Sequence, residues 1–319
     1  MFAVTATGLS PSDPLAGLTL GERPEPQPAP GWEIVQVVAA SLNHHDLWTL
    51  RGVGMTADRL PIVLGCDAAG VTSDGREVVV HAVVGGPDSV DGSEFSILSE
   101  RYDGTFADLV AVPRANLIDK PPELSFEEAA CLPTAWLTAY RALFVAGGLR
   151  PGGRLLIQGA GGGVSTAAVA LGRAAGARVY VTSRDEAKRQ RALELGAHEA
   201  LESGARVPER VDLVLESVGE ATWSHSLKSL DAGGSIVVVG ATSGAEPSAD
   251  LRRVFYRQLR VIGSTMGTRA DLVSLVRFLV ATGVRPVIDR VWPMDEARGA
   301  FEQLASGEVF GKIVLTRAV

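Results

Sequence analysis

The chain has 319 residues, of which 46% are hydrophobic and 21% charged, as is typical of a soluble globular protein long enough for two domains. Its net charge of −7 and the lack of a Lys/Arg cluster argue against a nucleic-acid partner. No apolar run reaches the ~18 residues that cross a bilayer, and no basic segment begins a signal peptide. Two cysteines cannot form a disulfide framework, so we expect a reducing, cytoplasmic location.

The first 120 or so residues are predicted to be mainly β. Apolar runs at 2–6, 33–40, 76–84 and 106–112 are separated by clusters of Pro, Gly and Asp. The proline-rich segment 24–31 cannot form regular structure and is predicted to be an exposed connection.

The run from Leu155 to Val164 passes from an apolar strand into four glycines within five residues. Such a turn lets the backbone and the first amides of a helix approach a dinucleotide pyrophosphate, although the third glycine of G-x-G-x-x-G is missing here. Small and apolar residues at helical spacing follow and end at Gly176, before the β-branched run 178–182. Residues 154–182 therefore have the pattern of one βαβ unit of about 30 residues.

From about residue 125, predicted helices alternate with short apolar strands. The strands are expected at 154–158, 178–182, 211–216, 235–239 and 260–263, and the helices near 186–195, 221–230 and 250–258. This alternation predicts an α/β fold with a doubly wound parallel sheet. An amphipathic helix at 269–281, a strand at 286–291, a helix at 294–305 and a last strand at 312–316 follow. Periodicity does not decide whether this tail extends the parallel sheet or returns to the first domain.

The motifs together resemble the medium-chain dehydrogenase/reductase superfamily over nearly the whole chain, and most closely its zinc-independent quinone oxidoreductase (zeta-crystallin-like) branch. The order and spacing of the motifs carry the resemblance: Ser41 to Leu47, Leu64 to Val71, Gly104 to Ala107, Leu132-Pro133, Leu137 to Tyr140, Gly159 to Val164, Asp212 to Gly219, Gly263-Ser264 and Phe310 to Lys312. The resemblance implies a mainly-β GroES-like catalytic domain from residues 1–124 and 266–319. It also implies a Rossmann dinucleotide-binding domain from residues 125–265.

The residues that stand where zinc-containing members of this family have their zinc ligands predict that this protein binds no zinc. Zinc-containing relatives place their ligands where Asn43, Cys66 and Thr134 stand, and an amide, a thiol and a hydroxyl are a poor tetrahedral set. The loop 85–104 has no cysteine, so the family's four-cysteine zinc lobe is also absent. The adjacent pairs His44-His45 and Cys66-Asp67 are expected to point apart rather than to build a different site.

The second strand of the βαβ unit indicates which nicotinamide cofactor is used. An NAD-binding unit usually ends this strand with a carboxylate for the ribose 2′-OH. Here it ends in Ser183-Arg184, while Asp185 and Glu186 are expected to begin the next helix. Ser183, Arg184 and Lys188 are therefore predicted to bind a 2′-phosphate, which favours NADPH over NADH. The alternative is that Arg184 and Lys188 are solvated surface charges.

The resemblance implies further cofactor contacts. They are Asn43, His44, Thr138, Gly161, Gly162, Gly163, Val164, Gly240, Ala241, Thr242, Ser264, Thr265, Met266, Gly267 and Lys312.

Without a metal, hydride transfer remains possible because the cofactor carries that step. The favoured substrates are then small molecules that need little Lewis-acid assistance, namely quinones and enones. His45 aligns with the hydroxyl that starts the proton relay of zinc relatives and is the candidate proton donor. The alternative is that His45 only hydrogen-bonds the nicotinamide ribose and water supplies the proton. Asn43 and Asp67 complete the candidate catalytic set, and Trp48, Met55 and Cys66 are predicted to line the substrate pocket.

These observations favour an NADPH-dependent, zinc-independent quinone or enone oxidoreductase. One alternative is an enoyl-thioester reductase for a dedicated biosynthetic substrate, although residues 51–55 lack the tyrosine that such relatives carry there. The other is a non-catalytic NADPH-binding redox sensor. The apolar segment 258–263 is an edge-strand candidate, and with the family resemblance it predicts a homodimer.

Overall fold

The computed structural model describes residues 1–85 and 94–317, so the predicted variable loop 85–104 lies partly outside the described residues. The chain divides into two compact units. The first consists of Met1–Ala135, Gly267–Ala281 and Ile288–Val319, and the second of Trp136–Met266 and Thr282–Val287. In the ranges 1–85 and 94–317, no helix is long and apolar enough to cross a bilayer.

The strands are numbered in chain order: β1 Phe2–Ala6, β2 Leu18–Glu22, β3 Trp32–Ser41, β4 Ile62–Val63, β5 Asp67–Thr72, β6 Glu77–Val80, β7 Val83–Val84, β8 Ser96–Ile97, β9 Leu109–Pro113, β10 Leu117–Asp119, β11 Arg154–Ile157, β12 Arg178–Ser183, β13 Glu199–Glu202, β14 Val211–Glu216, β15 Leu230–Val238, β16 Arg260–Gly263, β17 Ile288–Pro293 and β18 Lys312–Thr316.

The α-helices are numbered in the same way: α1 His44–Arg51, α2 Phe126–Ala130, α3 Leu137–Tyr140, α4 Gly163–Ala174, α5 Glu186–Glu194, α6 Glu220–Ser229, α7 Leu251–Tyr256, α8 Arg269–Thr282 and α9 Ala297–Ser306. Two π-helical segments, Leu132–Trp136 and Arg141–Ala146, flank α3. Four short 3₁₀ segments complete the list: Pro14–Gly17, Ala57–Arg59, Arg114–Asn116 and Met294–Glu296.

The first unit is built around a seven-stranded sheet. Its strand order is β10-β6-β5-β3-β18-β17, with β9 also paired to β3. Only β17 and β18 run parallel within it, and β18 pairs with β3 so that Val314 lies opposite Ser41. Two smaller sheets, β2-β1-β4 and β7-β8, complete the unit. The main hydrophobic core of this unit includes the edge-to-face pair Phe106 and Phe301, and a smaller cluster joins Ala3, Val63 and Ala107.

The second unit is a six-stranded parallel sheet in the order β13-β12-β11-β14-β15-β16. The strand β11 pairs with β12 on one side and with β14 on the other. The direction in which the chain adds strands to the sheet therefore reverses between β11 and β14. This is the switch point at which open α/β sheets bind ligands, outside the carboxyl ends of the strands. The predicted fold class, a GroES-like domain with a doubly wound parallel-sheet domain, is confirmed.

Sequence patterns located most strands but missed several elements. The apolar run 76–84 forms two short strands, β6 and β7, rather than one. The strand β13 was not predicted because Glu199-Ala-Leu-Glu202 has no apolar run, and it forms by pairing with β12. The helix α1 was also missed, because its apolar residues do not form a clear stripe. The segment 24–31 has no helix or strand, as predicted.

Candidate active site

The candidate site of the first unit lies at the start of α1. A buried carboxylate, that of Asp46, holds the start of this helix against the turn before β5. Asp46 Oδ2 accepts from the Asn43 amide at 2.8 Å, and Asp46 Oδ1 accepts from the Gly65 amide at 3.2 Å. Desolvation raises the pKa of this completely buried carboxyl to about 6. The two bonds bring the first turn of α1 beside Cys66, the residue after Gly65.

His45 lies between a thiol and a carboxylate. Its Nδ1 is 3.4 Å from Cys66 Sγ, and its Nε2 is 3.2 Å from Glu100 Oε1. The side chains of His45 and Glu100 are 20% and 26% exposed, whereas Cys66 is fully buried. The thiol also lies 3.2 Å from the Leu98 carbonyl oxygen. The sequence prediction placed His45 and Cys66 in one site but missed Glu100, which is 55 residues away from His45 in the chain.

The turn that carries Glu100 is strained. Ser99 is a non-glycine residue with φ of 68°, in the left-handed region, and it is completely buried with its Oγ 3.9 Å from Cys66 Sγ. Glu100 Oε2 accepts from the Ile97 amide at 2.9 Å, which fixes the carboxylate within the turn. Such strain persists only when surrounding contacts impose it, and it clusters at functional sites.

The charges of this group are set by burial and by its internal contacts. Burial of the ring disfavours a charge on His45, but hydrogen bonds from the ring to Cys66 and Glu100 favour the protonated form and raise the pKa of His45. Burial also disfavours the charge on Glu100, yet hydrogen bonds from His45 and Ile97 hold the pKa of that carboxyl below its ordinary value. Burial raises the pKa of the Cys66 thiol.

A second polar cluster lies where β18 meets the end of β3. The Lys312 ammonium donates to Leu42 O and to Asn43 Oδ1, both at 2.6 Å, and pairs with Asp67 Oδ2 at 3.3 Å. The same carboxylate oxygen accepts from Asn43 Nδ2 and from Ser41 Oγ, each at 2.8 Å. All these side chains are buried, and Asp67 Oδ1 has no hydrogen-bond partner among the described residues.

The residues at the zinc positions of this fold do not form a zinc site. The Asn43 amide oxygen accepts from an ammonium, and Thr134 offers only a hydroxyl. His45, Asp46 and Cys66 do place ligand-type atoms within 4.8 Å of one another. However, both Asp46 oxygens accept backbone amides, and His45 is engaged by Glu100.

The other site residues predicted for the first unit do not belong to these two polar clusters. His44 is exposed although its neighbour His45 is not, so this adjacent pair diverges. Trp48 is half-buried, whereas Met55 is 4% exposed and belongs to the hydrophobic core rather than to an open surface. Gly267 is buried, and its carbonyl lies 2.9 Å from His81 Nε2.

The glycine turn of the second unit leaves open space beside its backbone. Gly159 and Gly161 have φ of +80° and +101°, a conformation that L side chains rarely adopt. A Cβ atom on Gly162 would meet no atom within 4 Å. The first helical hydrogen bond of α4 runs from Thr166 N to Gly162 O, so the preceding amides have no partner within the helix. Gly163 and Val164 lie in this first turn, and together these residues fit a dinucleotide pyrophosphate.

Among the described residues at the tip of β12, Thr182, Ser183 and Arg184, none carries a carboxylate. Ser183 is the last residue of the strand and is buried, while Arg184 is exposed. Asp185 caps α5, its Oδ1 accepting from the Lys188 amide at 3.1 Å. Arg189 Nη1 donates to Ser183 O at 2.8 Å. The sequence analysis did not name Arg189, although it follows Lys188 directly and the two form a basic pair.

The remaining predicted cofactor residues follow strands of the same sheet. Gly240, Ala241 and Thr242 come after β15, and Thr265 and Met266 come after β16. The carboxyl ends of parallel strands share one edge of a sheet, which is also where the glycine turn follows β11. Met266 has a φ of 47° and is buried, and Ser264 Oγ nearby is buried without a partner in the described part of the chain. Thr138 lies buried on α3.

The fold, the glycine turn and the buried polar clusters define the class of protein as a nicotinamide-dependent oxidoreductase. Comparison with known proteins agrees. The family model of the alcohol dehydrogenase GroES-like domain matches residues 29–122, and that of the zinc-binding dehydrogenase matches residues 163–281. A zinc-type alcohol dehydrogenase-like protein of Schizosaccharomyces pombe is 31% identical, over 90% of this chain and 91% of that protein. The chain belongs to the medium-chain dehydrogenase/reductase superfamily.

Two further relatives show the breadth of activities nearby. An acryloyl-coenzyme A reductase of Metallosphaera sedula is 29% identical, over 94% of this chain and 96% of that protein. A solved structure of an NAD-dependent alcohol dehydrogenase superposes with a TM-score of 0.90 at 34% identity, covering 100% of both chains. These relatives include zinc-type names, so they do not single out the zinc-independent branch that the sequence resembles.

Proposed function

We propose that the protein transfers a hydride from NADPH to a quinone or to a small α,β-unsaturated carbonyl compound (an enone), without zinc. The observation that carries this proposal is His45 held between Cys66 and Glu100 at 3.4 and 3.2 Å. An acid fixed in this way supplies the proton that conjugate reduction requires. The amide of Asn43 and the ammonium of Lys312 stand near where a metal-dependent relative would hold its Lewis acid.

The reaction needs one hydride and one proton. A bound NADPH would supply the hydride. His45 donates the proton to the anion that hydride addition leaves, an enolate from an enone or a hydroquinone anion from a quinone. The neutral ring then takes up a proton from solvent. Enones and quinones suit this arrangement because their developing negative charge is delocalised, so they depend less on a metal for its stabilisation.

NADPH is proposed over NADH from the surroundings of Ser183. The Arg184 guanidinium is exposed, no residue from Thr182 to Arg184 carries a carboxylate, and Asp185 caps α5; these features favour a 2′-phosphate. Arg184→Glu is expected to weaken NADPH binding at least tenfold and to leave NADH binding almost unchanged, as measured by fluorescence titration. An equal loss for both cofactors would remove Arg184 from the phosphate site.

The first experiment follows the loss of NADPH near-UV absorbance with purified protein and three acceptors: an ortho-quinone, a simple enone and a saturated ketone. Parallel wells contain NADH, and the zinc content of the protein is measured on the same sample. Turnover of a conjugated acceptor by zinc-free protein supports the proposal. Turnover of the saturated ketone only, or activity that tracks bound zinc, contradicts it.

An enoyl-thioester substrate is the second candidate, and the similarity to the acryloyl-coenzyme A reductase favours it. Residues 51–55 contain no tyrosine, so His45 would serve as the acid there as well. Adding acryloyl- and crotonyl-coenzyme A to the same assay compares the two substrate classes directly. NADPH binding with no turnover of any acceptor would instead indicate a non-catalytic redox sensor.

A further inference from the structure

The hydrogen-bond partners of His45 determine which atoms carry hydrogens. The Leu98 carbonyl can only accept, so the single thiol hydrogen of Cys66 is placed on that 3.2 Å contact. Cys66 Sγ is then an acceptor toward His45 Nδ1 at 3.4 Å. An ionised Glu100 can also only accept, so Nε2 donates to its Oε1 at 3.2 Å. With the thiol hydrogen on the Leu98 contact, both ring nitrogens are donors, which is the imidazolium form.

We propose that Glu100 is a positioning residue that holds His45 as an imidazolium, with Cys66 as the second acceptor. The catalytic consequence rests on the proposed reductase function, whereas the ion pair itself does not. Glu100 fixes the ring orientation through Nε2 and keeps a proton stored on His45 before substrate arrives. After the proton is spent, the partly exposed carboxylate favours uptake of its replacement from solvent.

Among the described residues, the ionisable groups that act on the protonation of His45 include Cys66, Asp46 and Glu100. Burial keeps Cys66 a neutral thiol, as its raised pKa indicates. Asp46 lies on the same helix, but its two oxygens accept the amides of Asn43 and Gly65. Glu100 is therefore the carboxylate that bonds the ring, and Ser99 beside it has a left-handed φ of 68°.

The test compares Glu100→Gln with the unchanged protein by NMR. Glutamine retains an acceptor oxygen but loses the charge, so only the electrostatic part of the contact is removed. The imidazole signal of His45, assigned by its disappearance in His45→Gln, is titrated in each protein. In the unchanged protein, ¹⁵N shifts should show both ring nitrogens protonated at neutral pH. In Glu100→Gln the titration midpoint should fall by about one pH unit or more.

The matched control is Glu94→Gln, which removes a charge from the same segment. Glu94 is exposed and pairs with Arg101 rather than with His45, so this variant should leave the His45 titration unchanged. A neutral His45 in the unchanged protein at neutral pH overturns the proposal. So does an equal midpoint in Glu100→Gln and the unchanged protein. The ¹⁵N measurement on the unchanged protein decides the matter even if Glu100→Gln does not fold.

Kinetic measurements test the role of Glu100 and the proposed reductase function independently. If conjugated acceptors are reduced, the basic limb of the kcat profile should move to lower pH in Glu100→Gln by the same amount as the His45 midpoint. A lower kcat with an unmoved profile assigns Glu100 a merely structural role and overturns the proposal. If the unchanged protein reduces no acceptor, the proposed function fails, while the NMR titration still decides the ion pair.

Discussion

The buried ammonium of Lys312 illustrates how single residues are stabilised in the first unit. It is 3% exposed, its carboxylate partner Asp67 is completely buried, and the 2.6 Å bonds to Leu42 O and Asn43 Oδ1 complete its hydrogen bonding. Lys312→Met should lower the free energy of unfolding by about 3–5 kcal/mol, because it leaves the charge of Asp67 buried without a cation. Urea denaturation measures the loss.

The double variant Lys312→Met/Asp67→Asn is the control for this prediction. It removes both charges together, so it should recover part of the stability that Lys312→Met loses. A single variant as stable as the unchanged protein would show that the pair contributes nothing.

At the scale of elements, a substitution in the turn between β11 and α4 is expected to change cofactor binding without changing the stability of the fold. Gly162 has an ordinary φ of −72° at the start of α4, and a Cβ atom there would lie in open space. Gly162→Ala should therefore keep the midpoint of thermal unfolding within a few degrees and weaken NADPH binding at least tenfold, since the methyl group occupies the space beside the phosphates. Calorimetry of the apoprotein and fluorescence titration check both parts; unchanged affinity would place the pyrophosphate elsewhere.

A second element-scale contact joins β11 to α6 through a neutral histidine. Gln158 Nε2 donates to His225 Nδ1 at 2.8 Å, and His225 Nε2 donates to Ala205 O at 2.9 Å. Burial lowers the pKa of His225 below its ordinary 6.5. The unfolded chain therefore takes up a proton first on acidification, so this contribution to stability is present above about pH 6.5 and is lost as the pH falls.

The variant His225→Asn should therefore flatten the decline of stability between pH 7 and pH 5. Urea denaturation at several pH values, with the unchanged protein beside it, measures the two slopes. Equal slopes would show that other groups cause the acid sensitivity.

At the scale of the whole molecule, the second unit exposes an apolar sheet edge. Within residues 1–85 and 94–317, the strand β16 pairs with β15 alone, and Val261 on it is 49% exposed. On the preceding helix α7, Leu251, Phe255 and Tyr256 are also exposed, by 69%, 71% and 80%. An unpaired apolar edge of this kind favours pairing with another chain. The homodimer predicted from the sequence is therefore expected to form through this edge.

Val261→Lys should convert the homodimer to a monomer, because a charged side chain opposes pairing of the edge strand. Sedimentation velocity measures the change. Val53→Lys is the control, since Val53 is 62% exposed in the first unit, far along the chain from this edge. A monomeric unchanged protein, or a Val261→Lys variant that stays dimeric, would contradict the prediction.

The alternation of apolar strands and helices, and the glycine turn after β11, were readable without a structure because they depend on local sequence. A strand needs only a short apolar run, and a pyrophosphate turn needs glycines at fixed spacing. The end of β12 was interpreted in the same way, and Asp185 indeed caps α5. The segments without such patterns, β13 and α1, were missed because tertiary packing stabilises them.

The sequence by itself determined the fold class and the dinucleotide turn, since both are written in the spacing of neighbouring residues. Only the tertiary structure decided which distant side chains meet. Glu100 reaches His45 across 55 residues, and Lys312 reaches Asn43 across 269. Strand pairing and a strained turn bring these groups together, and no local pattern encodes such contacts. The electrostatics of the candidate site follow from those two encounters.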